Sequence, residues 1–311
     1  MITLQYKITS IQQSIIQTVL YFDVFNYPLT SSEVYENSAI HIPFDVFLQE
    51  LDQLIQHSFL KTSGNFILTI NASETIIKRR LHGNKEAQNV FPTAYRYSEK
   101  IGRFPFVEGV CLSGALSKNY YDEQGDIDFF IITKPGRLWI CRTLLILRYK
   151  LLPKHKKKYW CINYLISSDN MVIGEKNAFA GTEIAYLIPT VNYSVYQKFL
   201  QSNEWYKSRF PNKIQLSDKD CVTLPSPLFK KVFEKILNAG FGAWIDDALL
   251  RITLKHWLRK YPEMKTEDFE LQFRSRKTVC KRHTHGYQNI VLKKWEDKQR
   301  AYETLLNIKF T

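Results

Sequence analysis

The chain has 311 residues, enough for two or three domains, and its 45% hydrophobic and 23% charged content excludes extensive disorder. Its formal net charge of +13 is unevenly distributed. Residues 1–72 hold two basic and six acidic side chains, a net charge of −4, which leaves +17 for the remainder. We therefore expect any polyanionic partner to bind beyond residue 72.

The sequence predicts a cytoplasmic protein without a membrane partner. The first residues lack the long apolar region of a signal peptide. The most apolar helix candidate, residues 138–152, is too short to span a bilayer and contains Arg142 and Arg148. Five cysteines are dispersed without a Cys-x-x-Cys pair, which argues against disulfides and a zinc site and favours a reducing compartment.

Residues 1–72 predict three helices followed by a hairpin. The first stretch spaces its apolar residues as an amphipathic helix does. A capping box at Thr30 and Glu33 begins a second helix, and Pro43 begins a third. Two apolar runs then flank a Gly-Asn turn at Gly64, which is a hairpin signal. This order is typical of a winged helix-turn-helix module.

The third predicted helix does not have the chemistry of a DNA reader. It carries Asp45, Glu50 and Asp52 and no lysine or arginine. Affinity for a duplex comes mainly from neutralising phosphates, so this helix would repel DNA. We expect the module to pack against the protein or to bind a protein partner. A winged-helix nucleic-acid regulator is the disfavoured alternative.

The stretch 107–133 joins two predicted strands through a polar connector. The first apolar run ends at Ser113 and Gly114, and Asp126 and Asp128 begin the second. Side chains two apart on a strand share a face, so these carboxylates should lie together. Two adjacent negative charges are unfavourable unless a cation lies between them, and carboxylate oxygens suit Mg²⁺. A solvated acidic loop is the alternative, but the apolar run that follows needs a buried strand.

This pattern of apolar strand, glycine turn, connector and Asp-x-Asp resembles the nucleotidyltransferase superfamily of DNA polymerase β and kanamycin nucleotidyltransferase. The resemblance covers the middle of the chain. It implies an α+β protein in which a mixed sheet with flanking helices follows the winged-helix module and precedes a helical region. The corresponding domains are residues 1–72, 73–170 and 171–311.

The resemblance also implies a site. Asp126 and Asp128 would be catalytic and would bind Mg²⁺ or Mn²⁺. The family takes a third carboxylate from the next strand, predicted over residues 159–166, where Asn163 matches that position. The nucleoside triphosphate, which is the substrate, would contact the residues of the glycine turn: Ser113, Gly114, Ala115, Ser117 and Lys118.

Two departures from the family pattern leave two functions open. Ala115 replaces the serine of the Gly-Ser turn, and Asn163 is neutral. The chain is then either an active enzyme that moves a nucleoside monophosphate to an unknown acceptor hydroxyl, or a catalytically weakened or inactive nucleotide-binding or scaffold protein. Glu183 is a candidate base; the alternative is a carboxylate at the start of a helix.

The remaining segments are predicted to be mainly helical. Residues 73–106 predict a basic connection with two helical stretches, and residues beyond 170 predict helices. The basic run 154–158 is either a solvated turn or a patch for phosphates of an acceptor or nucleic acid. His283 and His285 suggest a metal, but no acidic or thiolate partner lies at ligand spacing, so a phosphate-contacting or solvated basic loop explains this segment better.

Overall fold

A computed structural model describes residues 7–238, 240–281 and 286–310. The chain forms a small N-terminal sheet and a larger central sheet, both flanked by helices, and the C-terminal region is mainly helical. The predicted α+β class and the mixed central sheet with flanking helices are thereby confirmed. Within the described residues, no helix combines the length and the apolar character needed to cross a bilayer.

The N-terminal elements follow the predicted order of three helices and a hairpin. They are α1 (Ser10–Asp23), β1 (Leu29–Thr30), α2 (Ser31–Asn37), α3 (Phe44–Gln56), β2 (Lys61–Ser63) and β3 (Phe66–Leu68). Strand β3 pairs antiparallel with both β1 and β2. The capping box is present, since the Glu33 backbone N–H donates to the Thr30 hydroxyl and the Thr30 N–H to the Glu33 carboxylate. Gly64 makes the hairpin turn with a φ of +56°.

A single long helix, α4 (Thr75–Gly102), connects this region to the central sheet. Two helical stretches were predicted here, and the structure joins them into one helix with Pro92 inside it. An internal proline removes one helical hydrogen bond and is unfavourable by itself. The apolar face of α4, which includes Ala87, Ala94 and Ile101, packs into the main hydrophobic core on both sides of the proline and stabilises the continuous helix.

The central sheet has six strands in the order β7-β4-β5-β6-β9-β8. They are β4 (Val107–Ser113), β5 (Asp128–Thr133), β6 (Cys161–Ser167), β7 (Ile188–Val191), β8 (Ser275–Arg276) and β9 (Val279–Lys281). Strands β5 and β6 are parallel and are connected through α6 (Leu138–Lys150), and the other pairs are antiparallel.

Three of these strands lie beyond residue 170 and were not predicted. They are short, and β7 contains Pro189. Proline is tolerated there because β7 is an edge strand. The division into residues 1–72, 73–170 and 171–311 stays a prediction, with the sheet drawing strands from both of the last two segments.

The other helices surround the sheet. They are α5 (Gly114–Ser117), α7 (Ala178–Ala185), α8 (Tyr193–Gln201), α9 (Leu228–Asn238), α10 (Phe241–Lys260), α11 (Thr266–Phe273) and α12 (Tyr287–Leu306), with 3₁₀ turns over Lys154–Tyr159 and Glu204–Ser208. Helix α12 returns to the N-terminal elements. Its Trp295 donates to Gln17 O at 3.0 Å, and its Tyr302 donates to Phe59 O at 2.6 Å. The two ends of the chain therefore share one hydrophobic core.

Candidate functional site

Three strand ends meet at one edge of the central sheet. Asp128, the first residue of β5, lies opposite Ser113, the last residue of β4. Because β5 and β6 are parallel, Cys161 at the start of β6 lies beside Asp128 on the other side. The register of these buried strands thus brings polar ends from three segments of the chain together.

The Gly114 turn is built against the Asp128 carboxylate. Gly114 has a φ of +67°, which side chains rarely adopt, and a Cβ there would overlap that carboxylate. Ser117 Oγ and Lys118 Nζ both donate to Gly114 O, at 2.9 and 3.0 Å. Ser117 therefore holds the turn with its hydroxyl, whereas Ala115 is exposed and lines the adjacent cleft.

Asp126 and Asp128 lie together, as the Asp-x-Asp spacing predicts. One carboxylate oxygen of each and the Cys161 sulfur all lie within 4.8 Å of one another. Ile127 between the aspartates is fully buried, and its N–H donates to Lys158 O at 2.7 Å while its carbonyl accepts from Cys161 N at 3.2 Å. These backbone contacts hold Asp126 in solvent and leave Asp128 partly buried.

The electrostatics of the site favour a cation. Burial and then the neighbouring Asp126 charge raise the pKa of Asp128 to about 7, although a hydrogen bond from Cys161 opposes the rise. Burial, followed by Asp128 and Asp126, raises the pKa of the Cys161 thiol, which stays protonated and donates to the carboxylates. A divalent ion between the aspartates would relieve their repulsion.

The expected third ligand position lies on β6. The residue paired directly with Asp128 is Cys161, and Asn163 lies two residues further along β6, so its match to the third ligand position stays a prediction. The register between β5 and β6 shifts after Phe129, which makes Asn163 the extra residue of a β-bulge. Asn163 still lines the cleft beside Asp128. Side chains two residues apart on a strand share a face. The sequence could therefore have indicated Cys161 as a site residue together with Asn163.

Lys118 bridges the turn and helix α7. Its ammonium lies 2.9 Å from the Glu183 carboxylate. The prediction that Glu183 begins a helix was wrong, because α7 starts at Ala178 with Asn177 as its N-cap and Glu183 falls in its last turn. The partner of Glu183 is thus Lys118, which competes with any role as a free base.

A cleft of about 530 Å³ opens over these residues. Its polar side is formed by Gly114, Ala115, Lys118, Asp128, Asn163 and Glu183. Its other walls are rich in aromatic rings, namely Tyr21, Phe22, Phe25, Tyr27, Tyr120, Phe179 and Tyr287. Four of these rings come from α1 and the loop after it, so the N-terminal elements form a wall of the cleft. Ser113 is buried and lines a smaller inner cavity of about 70 Å³.

The two predicted basic segments differ in their surroundings. The 3₁₀ turn Lys154–Tyr159 exposes its first lysines and lies beside Asp126, through the hydrogen bond between Ile127 and Lys158. In the second segment, Arg274 and Lys281 form ion pairs with Glu175 at 2.9 and 3.2 Å. These two cations therefore contact a carboxylate instead of solvent.

The remaining part of that second segment includes His283 and His285, which lie outside the described residues.

Comparisons of the chain with protein-family models, with curated proteins and with solved structures found no match. The resemblance to nucleotidyltransferases therefore rests on the residues of the 107–133 stretch and the strand beside it.

Gly114→Ala should destabilise the protein more than Gly136→Ala. Both glycines have positive φ, +67° and +62°, so both substitutions introduce backbone strain of about 1 kcal/mol. Only at position 114 would the new Cβ also overlap Asp128, since Gly136 has open space. We expect urea unfolding to show an extra loss of at least about 1 kcal/mol at position 114. Equal losses would mean that the turn does not press on Asp128.

The stability of the metal-free protein should depend on Asp128 ionisation. The folded pKa of about 7 exceeds the ordinary value of 3.8, so the stabilising contribution is complete below about pH 4 and is lost as the pH rises through 7. Relative to Asp128→Asn, the wild type should lose about 2–3 kcal/mol between pH 5 and 8 in chelator. The same amide substitution at the exposed Asp122 is the control. Parallel stability curves for wild type and Asp128→Asn would contradict the expectation.

Proposed function

We propose that this protein is a divalent-metal-dependent nucleotidyltransferase. The acceptor hydroxyl would attack the α-phosphorus of a nucleoside triphosphate, a new P–O bond would form, and pyrophosphate would leave as the proton passes to a base. The observation that carries the proposal is the pair Asp126 and Asp128, held beside the Gly114 turn at a cleft of about 530 Å³. That volume is in the range of small-molecule sites.

The donor set fits Mg²⁺ or Mn²⁺. Asp126 and Asp128 provide carboxylate oxygens, and the amide oxygen of Asn163 is a weaker oxygen donor on the same side of the sheet. Cys161 keeps its proton, so in this arrangement it orients the carboxylates by hydrogen bonding. A bound metal would supply charge neutralisation for the triphosphate.

The glycine turn is suited to phosphate binding. Gly114 has no side chain, so a ligand can approach the backbone of the turn closely. Lys118 lines the cleft and is positioned by Gly114 O and Glu183, which places its charge where a triphosphate would need it. We assign Glu183 to positioning Lys118. Ser117 supports the turn, and Ser113 lies behind it.

We further propose that the N-terminal region is a winged-helix-like module that serves the cleft. Its three helices and the strand order β1-β3-β2 support this comparison. Asp45 and Asp52 on α3 are exposed, which would repel a nucleic-acid duplex. Tyr27 and Phe25 instead face the cleft, where aromatic rings can stack on a nucleobase.

The acceptor and the compartment are inferred from surface charge and from the state of the cysteines. The turn Lys154–Tyr159 carries exposed lysines and is joined to the residue after Asp126 by the hydrogen bond from Ile127 N–H to Lys158 O, which favours an acceptor that carries phosphate. The cysteines are free thiols, in keeping with a reducing compartment such as the cytoplasm.

A non-catalytic nucleotide-binding protein is the second candidate. The neutral Cys161 and Asn163 occupy the strand that supplies the third carboxylate in the nucleotidyltransferases, and Ala115 replaces the serine of the turn. These substitutions preserve the cleft and the two aspartates while weakening the metal shell. Binding and transfer must therefore be measured separately.

Nucleotide binding should depend on the aspartate pair. We expect calorimetry to detect binding of a nucleoside triphosphate with Mg²⁺, and the Asp126→Asn/Asp128→Asn variant to bind at least tenfold more weakly, a loss of about 1.4 kcal/mol. Asp122→Asn, which removes one charge from the cleft wall, should bind nearly as wild type does. Unchanged binding in the double variant would exclude this site.

Transfer is tested with an α-labelled triphosphate and a panel of phosphate-bearing and neutral acceptors. Label appearing on an acceptor supports the enzyme. Aspartate-dependent binding without transfer would support the second candidate.

Restoring a third carboxylate should strengthen metal binding. Cys161→Asp would place three carboxylates around one position, so the metal-free variant should be less stable than wild type by at least about 1 kcal/mol. Mn²⁺ should bind it at least tenfold more tightly by calorimetry. Cys161→Ser, which keeps a neutral donor, should leave the Mn²⁺ affinity close to wild type. Equal affinities for all three proteins would show that position 161 lies outside the metal shell.

A further inference from the structure

Helix α9 directs its apolar side away from the protein. The side chains of Leu228, Phe229 and Ile236 are 78%, 58% and 56% exposed, whereas Lys230 and Glu234 are buried. An amphipathic helix of a globular protein ordinarily buries its apolar face. Helix α9 instead exposes most of its apolar face. The spacing of its residues predicted an amphipathic helix but not which face is exposed.

The inward orientation of the two charged residues is fixed by specific contacts. Lys230 Nζ donates to two backbone carbonyls, one of them Val107 O at 2.8 Å. The Glu234 carboxylate accepts from Phe106 N at 2.6 Å and from Lys134 Nζ at 2.6 Å. Buried charges are tolerated only when they are paired and hydrogen-bonded in this way. Turning the helix over would break these contacts.

The exposed apolar surface continues onto the first turn of α10. Phe241 and Trp244 are 48% and 73% exposed. The helix ends are in close contact, because a Cβ on Gly242 would overlap the carbonyl of Leu237. We call the combined surface the apolar face; it consists of Leu228, Phe229, Val232, Phe233, Ile236, Phe241 and Trp244.

Exposed basic side chains accompany the apolar face on α9, where Lys231 and Lys235 lie between its apolar residues. Further along α10 the exposed cationic side chains are Arg251, Lys255, Arg259 and Lys260. The acidic side chains of the two helices all have partners, two of them buried and one, Asp247, in an ion pair at the surface. Glu234 pairs with Lys134, Asp247 pairs with Lys277 at 3.1 Å, and the buried Asp246 accepts from a backbone N–H of α6 at 2.9 Å. The surface therefore complements an anionic partner.

We propose that the apolar face docks on an anionic phospholipid bilayer. Apolar and aromatic side chains would enter the interfacial region, while the flanking lysines and arginines contact the headgroups. A second copy of the chain would bring the same positive charges together, and a nucleic acid would leave the apolar side chains without apolar contacts. The sequence predicted no membrane partner because no apolar segment is long enough to span a bilayer. Docking on the bilayer surface does not require such a segment.

The proposed docking orients the rest of the protein. Lys230 of α9 contacts the start of β4, at Val107, whereas the cleft lies beyond the other end of β4, at Gly114. A strand of this length separates the two by about 20 Å. Docking through the apolar face would therefore leave the cleft uncovered. This inference does not depend on the proposed nucleotidyltransferase activity.

The test is flotation of the full chain with vesicles of neutral phosphatidylcholine or with about 30% phosphatidylserine, at about 0.15 M salt. We expect at least tenfold stronger binding to the anionic vesicles. Phe229→Ser/Ile236→Ser should reduce it at least tenfold, and Lys231→Glu/Lys235→Glu should remove its salt dependence. The matched control is Leu81→Ser/Ile214→Ser, at side chains 54% and 80% exposed outside the face. All variants should unfold in urea as wild type does.

Four results would overturn the proposal. The first is failure of wild type to float with anionic vesicles at this salt concentration. The second is flotation of Phe229→Ser/Ile236→Ser as strong as that of wild type, and the third is an equal loss of binding in the control. The fourth is a dimer, detected by light scattering, that the face variant dissociates and the control does not, which would make the face an interface between copies.

Discussion

Burial of β5 is the constraint on which the candidate site depends. Its four apolar residues from Phe129 to Ile132 are all buried, and each contributes about 1.5–3 kcal/mol. Holding Asp128 beside Asp126 with a pKa near 7 costs at most about 4 kcal/mol. The free energy gained by burying these four side chains exceeds that cost. The strand can therefore stay in the core with two carboxylates at its start. A divalent ion would remove much of that cost.

Pairing of buried charges is a second constraint, and it acts far from the site. Lys230 and Glu234 anchor α9 to the sheet through hydrogen bonds, in addition to the packing of Leu237 against the main core. Glu175 is held by Arg274 and Lys281, and these ions lower its pKa although burial opposes the change. In both places, basic residues that the sequence alone would suggest are on the surface instead bind groups of the protein itself. Only the cations that remain exposed therefore indicate which partners the surface can bind.

The N-terminal elements and the end of the chain form one structural unit around the cleft. Trp295 and Tyr302 of α12 donate to backbone carbonyls of the N-terminal elements, while α1 contributes Tyr21 and Phe22 to the cleft wall. The N-terminal region is thus placed where it forms a wall of the cleft. Its acidic third helix agrees with that placement.

Local patterns were sufficient for much of this description. The alternation of apolar runs and turns predicted β4, β5, β6 and the N-terminal hairpin, and the i, i+2 rule placed Asp126 and Asp128 together, because these features depend on neighbouring residues only. The tertiary structure decided the rest. Cys161 lies beside Asp128 through the register of a parallel pair, and Glu183 reaches Lys118 across the fold. The outward side of α9 also depends on which distant groups its polar residues meet. Amphipathic spacing specifies that a helix has two different faces, and only its packing partners determine which of them is buried.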